Sequence, residues 1–229
     1  CIIGLVVHHA EKALLIAQVA EHTDKMRGHN FFVIACAFNV VNGLDDIDRE
    51  EQLAKQALPD GLVIFLGEKG VGYEPVRESP WLRRDEFLDL NPTGQVPVMV
   101  DSERGVTLID SSVICEFFEE TVTKSPMLNG TAPDRAEIRR LVIWFDTYFY
   151  RDITAPLLNE RMLKRIVYRQ APDGQALRGA MKAAVEYLDY IDYLLDHRTW
   201  LAGPMMSLAD LAAAAQISVA DYLGGIDWK

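Results

Sequence analysis

Between residues 122 and 132 the sequence changes character. Ahead of that stretch, short apolar runs alternate with turn residues. Behind the breakers Ser125-Pro126 and Asn129-Gly130, three long stretches carry helical periodicity and no strand pattern recurs. Such a chain is expected to fold as an α/β unit followed by an all-α unit, with the domain boundary inside 122–132.

The clearest local text lies in the α/β part. Asn91-Pro92-Thr93-Gly94 is a strong turn signal and predicts a strand over 96–100. A second turn over 101–105 leads to a strand over 106–109, and Asp110-Ser111-Ser112 then caps a helix running to about 120. Upstream, 61–66 is an apolar segment whose periodicity does not separate strand from buried helix, and 73–76 reads as a short strand. Residues 1–60 match no motif: 10–27 is helix-like, 31–41 is an apolar run, and 45–57 is an acidic helix-like piece before the turn signal Pro59-Asp60-Gly61. Downstream, helices are expected over 133–159, 175–195 and 207–223.

Charge and composition exclude several classes of function. The chain of 229 residues carries a net charge of -11, which repels phosphate backbones and anionic lipid, so neither nucleic acid nor a membrane is an expected partner. No apolar run reaches the ~18–20 residues that a membrane span needs. Cys1, Cys36 and Cys115 form no CxxC pair, which fits a reducing compartment and makes the cytoplasm the expected location. The five histidines show no metal-ligand spacing, so no metal is expected. Gly67, Gly70 and Gly72 fit neither a Rossmann nor a Walker loop and are read as turn glycines. A start on Cys1 instead of Met reads as an incomplete frame.

Three ordered landmarks carry a resemblance. Residues 87–98, which contain Asn91-Pro92-Thr93-Gly94-Gln95-Val96-Pro97, resemble the segment around the cis-proline of the glutathione S-transferase family. Leu108-Ile109-Asp110-Ser111 resembles that family's glutathione-carboxylate motif, and the stretch from Trp200 to Asp210 resembles the capping box of its helical domain. Residues 137–146 and 212–222 are similar to a subgroup of alphaproteobacterial members, one of which binds the tubulin-like division protein FtsZ. The likeness covers about 61–229. It implies a partial thioredoxin-like, glutathione-binding domain over 61–122 and a GST C-terminal all-helical domain over 132–229 that stops before the family's last helix. It also implies glutathione as ligand or co-substrate and a homodimer.

The resemblance turns particular residues into site candidates, beside a plainer reading of each. By physics alone Pro97 is a trans residue opening an edge strand, since only ~5–6% of X-Pro bonds are cis. The family implies a cis Val96-Pro97 bond whose backbone pairs with the cysteinyl unit of glutathione. Asp110 and Ser111 stand where a strand hands over to a helix; they form a plain N-cap, a pocket for the two charges of a γ-glutamyl group, or both. Ser207 and Asp210 form an S-x-x-D capping box, a structural role. Of Trp144, Phe145, Tyr148, Phe149 and Tyr150, most are expected in the core, with Tyr148 the candidate for the electrophile pocket that the family places along this helix.

Two functions follow from the resemblance. A glutathione transferase lowers the thiol pKa of bound glutathione and aims the thiolate at a small electrophile. The family's thiol-stabilising Ser, Cys or Tyr aligns near 55–59, where none stands, so weak glutathione affinity and little conjugation are expected. The alternative is a non-catalytic adaptor that keeps the fold as a surface for an FtsZ-like filament.

Overall fold

A computed structural model of the chain describes residues 31–36 and 60–228. The segments 10–27 and 45–57, the position near 55–59, Cys1 and the four histidines ahead of residue 30 lie outside the described residues. Two compact units are divided between Ser125 and Pro126, at the first of the breakers.

The first unit runs β1 (Phe31–Cys36), α1 (Asp60–Lys69), β2 (Glu74–Glu78), α2 (Asp85–Leu90), β3 (Val98–Asp101), β4 (Val106–Ile109) and α3 (Ser111–Thr121). Its sheet has the order β2-β1-β3-β4. β1 is parallel to β2 and antiparallel to β3, and β3 is antiparallel to β4, with Val98 opposite Ile109. This βαβ unit, hairpin and closing helix is a thioredoxin-like arrangement. The undecided segment 61–66 is helical. The apolar run that begins at Phe31 supplies the inner strand, so the sheet reaches upstream of Gly61, where the sequence carries no motif.

Local chemistry explains the hairpin. Asp101 is fully buried; its Oδ1 accepts from the amides of Glu103 and Arg104 at 3.0 Å, and its Oδ2 pairs with Arg104 at 2.7 Å. Behind the sheet, the buried ammonium of Lys69 pairs with Glu119 at 2.8 Å and donates to the Val122 carbonyl at 3.0 Å. A buried cation is costly unless it is satisfied in this way, and here it ties the end of α1 to α3.

The second unit is helical. Its first rod, α4, spans residues 132–166 and starts at a Thr131–Asp134 capping box, with the Thr131 amide donating to Asp134 at 2.7 Å. The rod is wound normally over Ala132–Ile143 but widely over Trp144–Thr154 and Asn159–Leu163, as in the bond from the Ala155 amide to the Tyr150 carbonyl. Leu141, Phe145, Phe149, Ile153 and Leu157 are all fully buried. In a regular helix a stripe of every fourth residue drifts by about 40° per step, and wide turns drift the other way, so mixed winding keeps this stripe facing the core. α5 (Gly174–His197) is capped by Asp173, which accepts from the Gln175 amide at 2.7 Å; α6 (Leu208–Tyr222) follows.

Candidate functional site

The turn before β3 is built around one buried side chain. Asn91, 1% exposed, donates from Nδ2 to the Gln95 carbonyl at 2.8 Å. Its Oδ1 accepts from the Thr93 amide at 3.1 Å and the Thr93 hydroxyl at 2.9 Å. Gly94 has φ +69°, and a Cβ there would meet Arg83 Nη1 and Leu88 Cδ2 at 3.2 Å, so the position suits glycine. This turn delivers Val96 and Pro97, joined by a cis peptide bond. Pro97 is buried, while Val96 is half-buried and packs with Leu90 and Ile109 against Phe87 and Val98. Val96 lies two residues ahead of the first ladder pairs, Val98 with Ile34 and with Ile109.

The β3–β4 pairing brings the second segment alongside. The Asp110 amide donates to the Pro97 carbonyl at 3.3 Å. Asp110 holds φ +81°, rare for a residue with a side chain, and its Oδ1 accepts from the Ser112 amide at 2.8 Å and from the Ser112 hydroxyl. Ser112 therefore fixes the Asp110 carboxylate, a role signalled only by the second serine of Asp-Ser-Ser. α3 begins at Ser111, so the Ser111 amide is one of the first-turn donors without an intrahelical acceptor, at the positive end of the helix dipole. Val96, Pro97, Asp110 and Ser111 are thus gathered at one end of the hairpin. An exposed carboxylate that can accept from an ammonium stands beside amide and hydroxyl donors suited to a carboxylate.

Tyr148 belongs to the second unit. It is 43% exposed, with the Arg151 guanidinium 5.3 Å from its ring centre. Its neighbours divide as helix geometry requires: Phe145 and Phe149 are core, Trp144 stacks on Tyr187 at 4.6 Å, and Tyr150 is exposed. The Tyr187 hydroxyl donates to Asp152 at 2.7 Å; burial, with that carboxylate, pushes its pKa up to about 12.

Ser207 and Asp210 face inward. Asp210 Oδ2 accepts from the Ser207 amide and hydroxyl at 2.9 Å each, and its Oδ1 from the Leu201 amide at 2.9 Å. Burial pushes the Asp210 carboxyl above its ordinary range in spite of these donors. Sequence reasoning missed one ionic centre: Glu137 takes Arg140 at 2.7 Å and Arg198, sixty-one residues away, at 2.8 Å. Arg140 foremost, with Arg198, holds the Glu137 pKa down at about 2 against the effect of burial.

Comparison with known proteins decides the family. Residues 59–121 match the N-terminal domain of glutathione S-transferase. A solved glutathione S-transferase from Rhodospirillum rubrum F11 is 43% identical, with a TM-score of 0.69 over 74% of this chain and 76% of that one. FtsZ-localized protein A of Caulobacter vibrioides is 43% identical over 168 residues, 72% of this chain and 74% of that protein. The chain belongs to the glutathione S-transferase family. The structure of FzlA from C. crescentus matches with a TM-score of 0.74 and 35% identity over 87% of this chain and 81% of that one. The glutathione S-transferase family match spans all four residues gathered at the hairpin end. The connection from β1 to α1, residues 37–59, contains no Ser, Thr, Cys or Tyr. Among the described residues no helix is long and apolar enough to cross a membrane, and no group of three His, Cys, Asp or Glu could hold a metal ion.

Proposed function

We propose that this glutathione S-transferase-family chain binds glutathione through Val96, Pro97, Asp110 and Ser111. The observation that carries the reading is the hydrogen bond from the Asp110 amide to the Pro97 carbonyl, which sets the start of α3 against the turn that presents Val96. In this pose the Val96 backbone pairs with the cysteinyl unit as an added strand. Asp110 accepts from the γ-glutamyl ammonium, and Ser111 with the first-turn amides takes the carboxylate. Tyr148, half exposed on α4, is the candidate residue for contact with the electrophile. On this reading the protein works in the reducing cytoplasm, where the ligand is a free thiol, and as a homodimer, which light scattering tests.

The Ser, Cys or Tyr that the family sets against the sulfur has no counterpart in 37–59, so the reading is binding with turnover barely above the spontaneous rate. By analogy with an oxyanion-hole donor, that loss costs roughly 100- to 1,000-fold in rate. Calorimetry with glutathione, beside a conjugation assay with a generic aromatic electrophile, tests both halves. Weak saturable binding without turnover is expected. Robust turnover abolished by Ser111→Ala would make the chain an ordinary transferase, and no binding would remove the ligand.

A second reading rests on a different observation, the 43% identity to a protein named for its localisation to FtsZ. Here the fold is a non-catalytic adaptor that binds an FtsZ-like filament. Co-sedimentation with GTP-assembled FtsZ should carry the chain into the pellet, whether or not glutathione is present.

A further inference from the structure

The acidic chain concentrates positive charge in one place. Residues 161–182 hold six cations, Arg161, Lys164, Arg165, Arg169, Arg178 and Lys182, against the single anion Asp173, in a sequence of net charge -11. Part of this charge is used internally. Arg161 donates to the Leu223 carbonyl, Lys164 pairs with the buried Glu160 at 2.8 Å, and Glu186 stands 4.0 Å from Lys182. Arg165, Arg169 and Arg178 are exposed and stand in no ion pair among the described residues.

Glu160 holds the end of α4 to the start of α5, accepting from Lys164 at 2.8 Å and from the Asp173 amide at 2.6 Å. The Tyr168 and Gln170 amides donate to the Leu163 and Lys164 carbonyls at 3.0 and 2.7 Å, folding the turn after α4 back onto the helix end, with Arg169 in the left-handed region at φ +52°. Arg178 reaches back over the first turn of α5, its Nη1 lying 3.3 Å from where a Gly174 Cβ would be. Cations at the end of α4 are favoured by its dipole, so Arg165 needs no other reason. Arg178 leans toward the start of α5, as helical side chains do, and so carries its charge toward the turn. Between the arginines, Val167 and Tyr168 are 38% and 53% exposed.

We propose that the turn joining α4 and α5, with Arg165, Tyr168, Arg169 and Arg178, docks a short acidic peptide segment of a partner protein that carries an apolar residue among its carboxylates. Charge complementarity selects this occupant: arginine forks match carboxylates, and Tyr168 offers a face for the apolar residue. A long polyanion would also meet the acidic remainder of the chain, which repels it, whereas a short segment reaches the patch alone. The proposal does not depend on the glutathione site.

The test is fluorescence anisotropy of the full chain with a labelled glutamate-rich peptide carrying one central Phe. Saturable binding is expected, weakening steeply as salt rises. Replacing Arg165, Arg169 and Arg178 together by Gln should weaken it by about tenfold while glutathione affinity stays unchanged. Tyr168→Ala should weaken it a fewfold at an unaltered salt slope. If the triple variant melts early, Arg169→Gln alone should still cost about threefold. Absence of binding, or equal binding by the arginine variants, overturns the proposal. So does equal affinity for an oligonucleotide or a phosphatidylserine vesicle, or a dimer that the triple variant abolishes.

Discussion

Two helices of this chain begin with the same chemistry, an aspartate and a serine, and put it to opposite uses. At α6, Asp210 is half-buried and both of its oxygens accept from donors of its own unit, Ser207 and Leu201. At α3, Asp110 is exposed and, among the described residues, only its Oδ1 is engaged, by Ser112. The spent carboxylate stabilises a fold, and the exposed one can accept from something else. Burial and donor count, more than residue type, separate a structural cap from a binding position.

The strongest way to break this contrast is to truncate the member whose oxygens are all engaged. Asp210→Ala leaves the Leu201 and Ser207 amides without their acceptor and should cost about 3 kcal/mol, read as a lowered denaturation midpoint. An unchanged midpoint would show that water replaces the carboxylate. Asp110→Ala tests the other side. Glutathione affinity should fall about tenfold, a change of ~1.4 kcal/mol, while stability falls by less than ~1 kcal/mol. The reverse pattern, stability lost and affinity kept, would make Asp110 a plain cap. Ser207→Ala should cost about 1 kcal/mol, because the hydroxyl supplies one of the three donors to Asp210.

The smallest effect concerns acid. The Glu137 pKa is held down at about 2, below its unfolded value near 4.5, so its contribution is complete above pH ~4.5 and is lost as pH falls toward ~2. Asp210 has the opposite sign, since its raised pKa makes protonation favour the folded form. Glu137→Gln should therefore flatten the fall of stability between about pH 4.5 and 2, by no more than ~1 kcal/mol for a partly exposed pair. A slope identical to the parent would show that the two arginines do not act on Glu137.

What could be read from the residues alone follows the range of the interactions. The turn at Asn91 to Gly94, the hairpin and the start of α3 were legible, because their hydrogen bonds close within a few residues. The state of 61–66 was not, since an apolar run buried against a sheet has no periodicity to show. β1 was not legible either, because its partners lie about 40 and 65 residues further along the chain. The wide turns of α4 and the bond from Glu137 to Arg198 also escaped, being set by packing and by distant partners. In the site, the candidates Val96, Pro97, Asp110 and Ser111 came from the family's motifs, whereas the way Ser112 and Asn91 hold them came only with the coordinates.

The placement of β1 bears on how the molecule assembles. A strand between two partners so far along the chain cannot be nucleated by a local turn, so the sheet closes only after a long stretch of chain has been drawn together. The helical unit carries no such cost, since its rods begin at caps a few residues wide. Stopped-flow refolding should therefore show helical signal gained in a fast phase and the sheet completed in a slower one. During synthesis β1 can pair with β2 first, but its other edge waits for β3 to leave the ribosome, and until then that apolar edge is exposed to neighbouring chains.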